Sequence, residues 1–172
     1  MKVLIIVAQQ GYQDHEYGTP KQILESAGVE VITASKYTGP CTGGLGGTTD
    51  AKLSLSEVEV TDYDAIIFAG GPGAIKYQHD NEAHTVIKAT IEHDKILAAI
   101  CIAPTILAYA GVLEGKKATV WNQDGQQQNV LTSNGAEFTN ESVTVDGKII
   151  TANGPPAAQE FGEKILELLS AS

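Results

Sequence analysis

The chain has 172 residues, 42% hydrophobic and 19% charged, a balance that fits one globular domain over 1–172 with a sizeable core. Its formal net charge is −10 and all 11 basic residues are lysines, so there is neither a basic stripe nor an arginine for reading bases and phosphates; nucleic acid is not an expected partner. No apolar run approaches the ~20 residues that span a bilayer, and no membrane partner is expected.

The opening run Val3 to Ala8 is apolar and short, without the cleavage pattern of a signal peptide. It reads as a first strand, and a cytoplasmic location is the default expectation. Gln9 to Gly18 follows as a polar loop. Thr19-Pro20 has the pattern of an N-cap followed by proline in the first helical position, which predicts a helix to Ala27, closed by Gly28. Val29 to Ala34 predicts the second strand. Tyr37 to Asp50 carries Gly39, Gly43, Gly44, Gly46 and Gly47 and reads as a loop or irregular hairpin. It contains no phosphate-cradling glycine motif.

Ala65 to Ala69 is an apolar run that enters the turn Gly70-Gly71-Pro72-Gly73. Glycines here can point backbone N–H groups at a ligand, as in an oxyanion hole, or simply turn the chain. Asn81 to Glu92 has helical spacing of Ala83, Val86, Ile87 and Ile91. A buried strand then ends at Cys101, and a helix from Thr105 to Ala110 follows. Lys117 to Trp121 is a strand candidate. Ser142 to Val145 and Lys148 to Ala152 form a hairpin around Asp146-Gly147. After Gly154-Pro155-Pro156, Ala157 to Leu169 is an amphipathic helix with Phe161, Ile165, Leu168 and Leu169 on one face. Strands alternating with helices over short connections predict an α/β fold: a doubly wound, mostly parallel sheet flanked by helices, a flavodoxin-like sandwich.

The candidate chemistry lies where three strand ends meet on one edge of such a sheet. Cys101 stands at a strand-to-helix junction, the position of a nucleophile elbow, where helix N–H groups favour a thiolate. A free cysteine is more often a buried small hydrophobe than a reactive group, so Cys101 alone leaves both readings open. A carboxyl from Asp14 or Glu16 and the N–H donors of the Gly70–Gly73 turn converge on it. The two cysteines, Cys41 and Cys101, suggest no disulfide framework. The scattered His15, His79, His84 and His93 suggest no metal site, and no cofactor is expected.

Four segments in order carry a resemblance: Gly11 to Glu16, Ala69 to Gly73, Ala98 to Pro104, and Val145 to Thr151 followed by Gly154-Pro155. Together they resemble the PfpI / Parkinsonism-associated deglycase superfamily, of glutamine-amidotransferase-like, flavodoxin-like fold, over nearly the whole chain. The resemblance implies that Cys101 is the elbow nucleophile and Glu16 its general acid/base. It implies an oxyanion site at Gly70 or Gly71 with Ile102, and a homodimer with the cysteine near the interface. The chain also departs from the family's patterns. Ile102 stands where the protease-like branch has histidine after the cysteine, Trp121 where the glyoxalase-like branch has its histidine, and Asn153 where the family has arginine.

Without those histidines a Cys–His dyad is unsupported and peptide hydrolysis is disfavoured. The expected function is a cysteine-dependent enzyme on small reactive carbonyls, glutathione-independent and similar to a glyoxalase or deglycase. A redox or stress-response protein oxidised at Cys101, and a hydrolase or hydratase of amide-like or isonitrile-like substrates, are the alternatives. His15, Tyr17 and Trp121 are candidate pocket residues around a small-molecule substrate.

Overall fold

The computed structural model describes residues 1–172. From the N-terminus, β1 (Lys2–Ile6) leads through the short β2 (Gln10–Tyr12) into α1 (Asp14–Ser26). The Thr19-Pro20 start expected for this helix is incorrect. Gln13 is the cap: its side-chain oxygen accepts from the N–H groups of His15 at 2.7 Å and Glu16 at 2.9 Å, satisfying two first-turn donors. Pro20 lies inside the helix, where its missing N–H leaves the Glu16 carbonyl without its helical partner. Most of the expected ligand loop is therefore strand and helix.

The chain continues through β3 (Glu30–Ser35), β4 (Gly39–Gly43), β5 (Thr48–Ala51) and β6 (Leu53–Ser54). The glycine-rich stretch is a real hairpin: β4 and β5 pair antiparallel, and β2 joins β4 to make a three-stranded side sheet. Then come β7 (Ala65–Phe68), a 3-10 segment over Pro72–Tyr77, α2 (Asn81–Glu92), β8 (Ile96–Ile100) and α3 (Pro104–Tyr109). Of the strand expected over Lys117 to Trp121, only β9 (Lys117–Ala118) forms. It leaves the main sheet to pair with β10 (Glu137–Phe138), beyond the unanticipated α4 (Gln127–Ser133). The hairpin of β11 (Val143–Asp146) and β12 (Ile149–Ala152) and the terminal α5 (Ala158–Ala171) complete the chain.

The main sheet has the order β11-β12-β8-β7-β1-β3-β6, parallel except for β11. Both faces are covered, which is why its central strands are apolar without alternation. Leu4, Ile6, Ile66, Phe68, Leu97 and Ala99 pack towards α2 and α3. Val3, Ile5, Ile67, Ala98 and Ile100 pack on the opposite face with Leu24 of α1 and Phe161, Ile165 and Leu169 of α5. Each fully buried Leu, Ile or Phe contributes about 1.5–3 kcal/mol. No helix is long and apolar enough to cross a membrane. Parallel pairing puts the C-terminal ends of β1, β7, β8 and β12 on one edge, and Cys101 lies there.

Candidate active site

Cys101 follows β8 directly and takes φ of 64°, a left-handed conformation rare for a residue with a side chain. The conformation costs about 1–2 kcal/mol and is held from both sides. The Cys101 N–H donates to the Ala152 carbonyl at 2.8 Å, and the Cys101 carbonyl accepts from the Trp121 N–H at 2.8 Å. This strained turn lifts the thiol out of the core to a partly exposed position. The backbone N–H groups of Gly71 and Ile102 face the sulfur, and neither donates to a backbone carbonyl.

Glu16, in the first turn of α1, is wholly buried. One carboxyl oxygen, Oε2, accepts the Gly70 N–H at 3.0 Å. That bond commits the Gly70 donor to the acid, leaving Gly71 and Ile102 as the pair that faces the thiol. Gly70 has no room for a side chain: a Cβ there would lie 2.7 Å from Cys101 Cβ and 2.8 Å from the Ile100 carbonyl. Gly71, at φ of 103°, would press a Cβ to 2.5 Å from both the Gly11 carbonyl and the Gln13 nitrogen. The Gln13 N–H in turn donates to the Gly70 carbonyl at 3.0 Å, locking the glycine turn to the start of α1. The other Glu16 oxygen, Oε1, is buried and receives no hydrogen bond of full geometry. The Cys101 thiol lies beside the carboxyl, close enough for each to shift the other's titration.

Burial, first, raises the Glu16 carboxyl to about 7, against the lowering effect of the thiol and the Gly70 N–H. Burial, and then the Glu16 charge, pushes the Cys101 thiol up to about 12. The thiolate favoured by a helix N-terminus, as expected from sequence, is thus overturned for the resting site. The following helix, α3, has only six residues, and the N–H groups of Ile102 and Gly71 lower the thiol by less than burial and the carboxylate raise it. At neutral pH the pair is poised as a thiol beside a carboxyl that readily gains or loses a proton.

A cleft of about 310 Å³ opens over the sulfur, lined by Gln13, Gly71, Pro72, Ile75, Cys101, Ile102, Trp121 and Pro155. Trp121 lines it; the other two candidate pocket residues do not. His15 is exposed on α1, because successive helical side chains diverge by about a quarter turn. Tyr17 is buried, its hydroxyl bonded to Thr33 Oγ1 at 2.7 Å and Thr49 Oγ1 at 2.8 Å. Asp14 also turns away, accepting the Leu45 N–H at 2.6 Å at the tip of the β4–β5 hairpin. Sequence reasoning missed Gln13, Pro72, Ile75 and Pro155 as cleft residues. The glycine turn and Gly154-Pro155 were the available signals, since both follow strands ending on this edge. No group of three or more His, Cys, Asp or Glu side chains is arranged to hold a metal ion.

Comparison with known proteins bears on this geometry. The model of the DJ-1/PfpI family matches residues 1–168. The deglycase TK1284 of Thermococcus kodakarensis is 33% identical over 171 residues, covering 98% of this chain and 99% of its own. An uncharacterised protein of Methanocaldococcus jannaschii, MJ0967, is 35% identical over 169 residues, covering 98% of this chain and 82% of its own. Among solved structures, a ThiJ/PfpI domain protein from Brachyspira murdochii superposes with a TM-score of 0.94 at 32% identity, over 99% of this chain and 97% of that one. DJ-1beta of Drosophila melanogaster superposes with a TM-score of 0.87 at 27% identity, over 99% and 91% of the two chains.

Proposed function

The chain belongs to the DJ-1/PfpI family, and on that premise we propose that it is a cysteine-dependent enzyme acting on small reactive carbonyls. The observation that carries the reading is the pairing of Cys101, on its strained turn, with a buried Glu16 raised to about 7. A proton acceptor and donor is most effective when its pKa lies near the working pH. Relatives named deglycases support the same class of chemistry.

The reaction balances without a cofactor. Glu16 takes the thiol proton as Cys101 Sγ adds to the aldehyde carbon of a 2-oxoaldehyde, giving a hemithioacetal. The former carbonyl oxygen points at the Gly71 and Ile102 N–H groups, which stabilise developing charge. Glu16 returns the thiol proton to that oxygen, then carries the proton of that carbon to the adjacent ketone carbon while the hydroxyl proton passes to the ketone oxygen, leaving a thioester of a 2-hydroxy acid. Water cleaves the thioester and restores the thiol, so one aldehyde and one water become one hydroxy acid. The absence of histidine from the cleft weighs against amide hydrolysis, which needs a donor for the amine. A homodimer is the proposed assembly, consistent with Ile75 standing 51% exposed on the cleft wall.

The test is the rate of methylglyoxal consumption and hydroxy-acid formation by the wild type, Cys101→Ala and Glu16→Gln. Both variants are expected to lose at least about 100-fold in kcat/KM, the usual worth of a nucleophile or a positioned acid/base. Full activity in Cys101→Ala would end the proposal.

A further inference from the structure

Beside the apolar cleft over Cys101 lies a second, larger one. This cleft, about 610 Å³, shares Trp121 and Pro155 with the first as a common wall. Its character is different: the side-chain amides of Gln123, Asn140 and Asn153 line it, and none of the three is spent on a hydrogen bond within the protein. The neighbouring polar groups are spent. Asn122 is tied to Gln128 at 3.0 and 3.3 Å, and the Ser142 hydroxyl to Glu160 at 2.9 Å. Asn153 is closest to the chemistry in the sheet. It follows Ala152 at the end of β12, the strand paired with β8, and the Ala152 carbonyl holds the Cys101 N–H.

Two physical facts limit what this cleft can take. Each amide offers both donors and an acceptor, which matches hydroxyl groups that also do both. No lysine or histidine lines either cleft, while Glu160 lines the second and Glu16 lies beside the thiol, so an anionic tail would meet negative charge with no cation to offset it. Size points the same way. A three-carbon aldehyde displaces roughly three or four waters of about 30 Å³ each and leaves the second cleft empty.

We infer that the amide-lined cleft is a subsite for an uncharged polyol tail, and that Asn153 is a specificity-determining residue. The preferred substrate is then a 2-oxoaldehyde extended by several hydroxylated carbons. The inference rests on the carbonyl chemistry proposed above. The tail takes no part in bond making; it adds binding energy remote from the reacting carbon.

Trp121 is the sole tryptophan and borders both clefts, so its emission reports occupancy without turnover. The experiment titrates the Cys101→Ser protein with 3-deoxyglucosone, methylglyoxal and glyoxylate. The polyol-tailed compound is expected to bind about ten-fold tighter than methylglyoxal, the worth of one or two net hydrogen bonds, with glyoxylate weakest. Asn153→Ala in the same background should remove most of that preference; if it does not fold, the exposed Gln123→Ala replaces it. Equal binding of the two aldehydes, tighter binding of glyoxylate, or a preference unchanged in the amide variant overturns the subsite. Wild-type turnover of methylglyoxal alongside equal binding overturns the subsite alone. Polyol-selective binding without Cys101-dependent turnover overturns the proposed reaction and leaves the subsite standing.

Discussion

At the scale of single residues, Glu16 carries two consequences of one fact. Its carboxyl titrates near 7 in the folded chain and near 4.5 when unfolded, because burial disfavours the charge. The native state therefore holds the proton more tightly. Its contribution to stability is whole below about pH 4.5 and is lost as pH rises through about 7, on the order of 3 kcal/mol in all. Glu16→Gln, which keeps the shape and an acceptor for Gly70, should lose that slope. Urea midpoints of wild type and variant, taken from pH 4.5 to 7.5, should converge at the acid end and separate in favour of the variant near neutrality. Parallel curves would show that the buried carboxyl does not titrate as argued. Activity should run the opposite way, with wild-type kcat/KM rising through about pH 7 as the base ionises. Part of this candidate site was legible in the sequence: Cys101 and the glycine turn each follow a strand, whereas strand position left Asp14 and Glu16 both open and only the family resemblance singled out Glu16. What was not legible is the division of labour in the turn, where Gly70 holds the acid and Gly71 faces the sulfur. That depends on where two N–H bonds point, which residue identity does not encode.

At the scale of elements, α1 brings Glu16 to the edge of the sheet, and its first turn is fixed by Gln13. Thr19-Pro20 carries the ordinary start signal, and glutamine is not among the preferred caps, so the true start was hidden. Tertiary fit decides it: only a helix beginning at Asp14 places Glu16 against Gly70 and, through Asp14, meets the β4–β5 hairpin. Gln13→Ala should cost about 1 kcal/mol by urea denaturation, as other cap losses do. It should also lower kcat/KM more than a loss of folded protein explains, because the cap orients the acid. Unchanged activity in the folded variant would assign Gln13 to stability alone. The other misread elements share a cause. Both α4 and β9 lie outside the main sheet, and α4 buries only Leu131, so neither shows the apolar periodicity that exposed the central strands.

At the scale of the molecule, 21 acidic residues face 11 lysines, giving −10 on 172 residues. Two electrostatic effects oppose each other. Ion pairs such as Lys21–Glu25 at 2.6 Å and Lys164–Glu167 at 3.0 Å are surface contacts, each worth little and weakened by salt. Unpaired acids repel one another over the whole surface and are relieved by salt. The excess of acids makes the second effect the larger. Raising salt from 0.01 to 0.15 M shortens the screening length from about 30 to about 8 Å. The Tm at pH 7 should therefore rise, by on the order of 2–4 °C if the relief is near 1 kcal/mol. A falling Tm would mean that the lysine pairs, rather than the net charge, govern the folded state. The same field repels anionic carbonyls, so salt should tighten the weak binding of glyoxylate to the Cys101→Ser protein while leaving that of neutral methylglyoxal nearly unchanged.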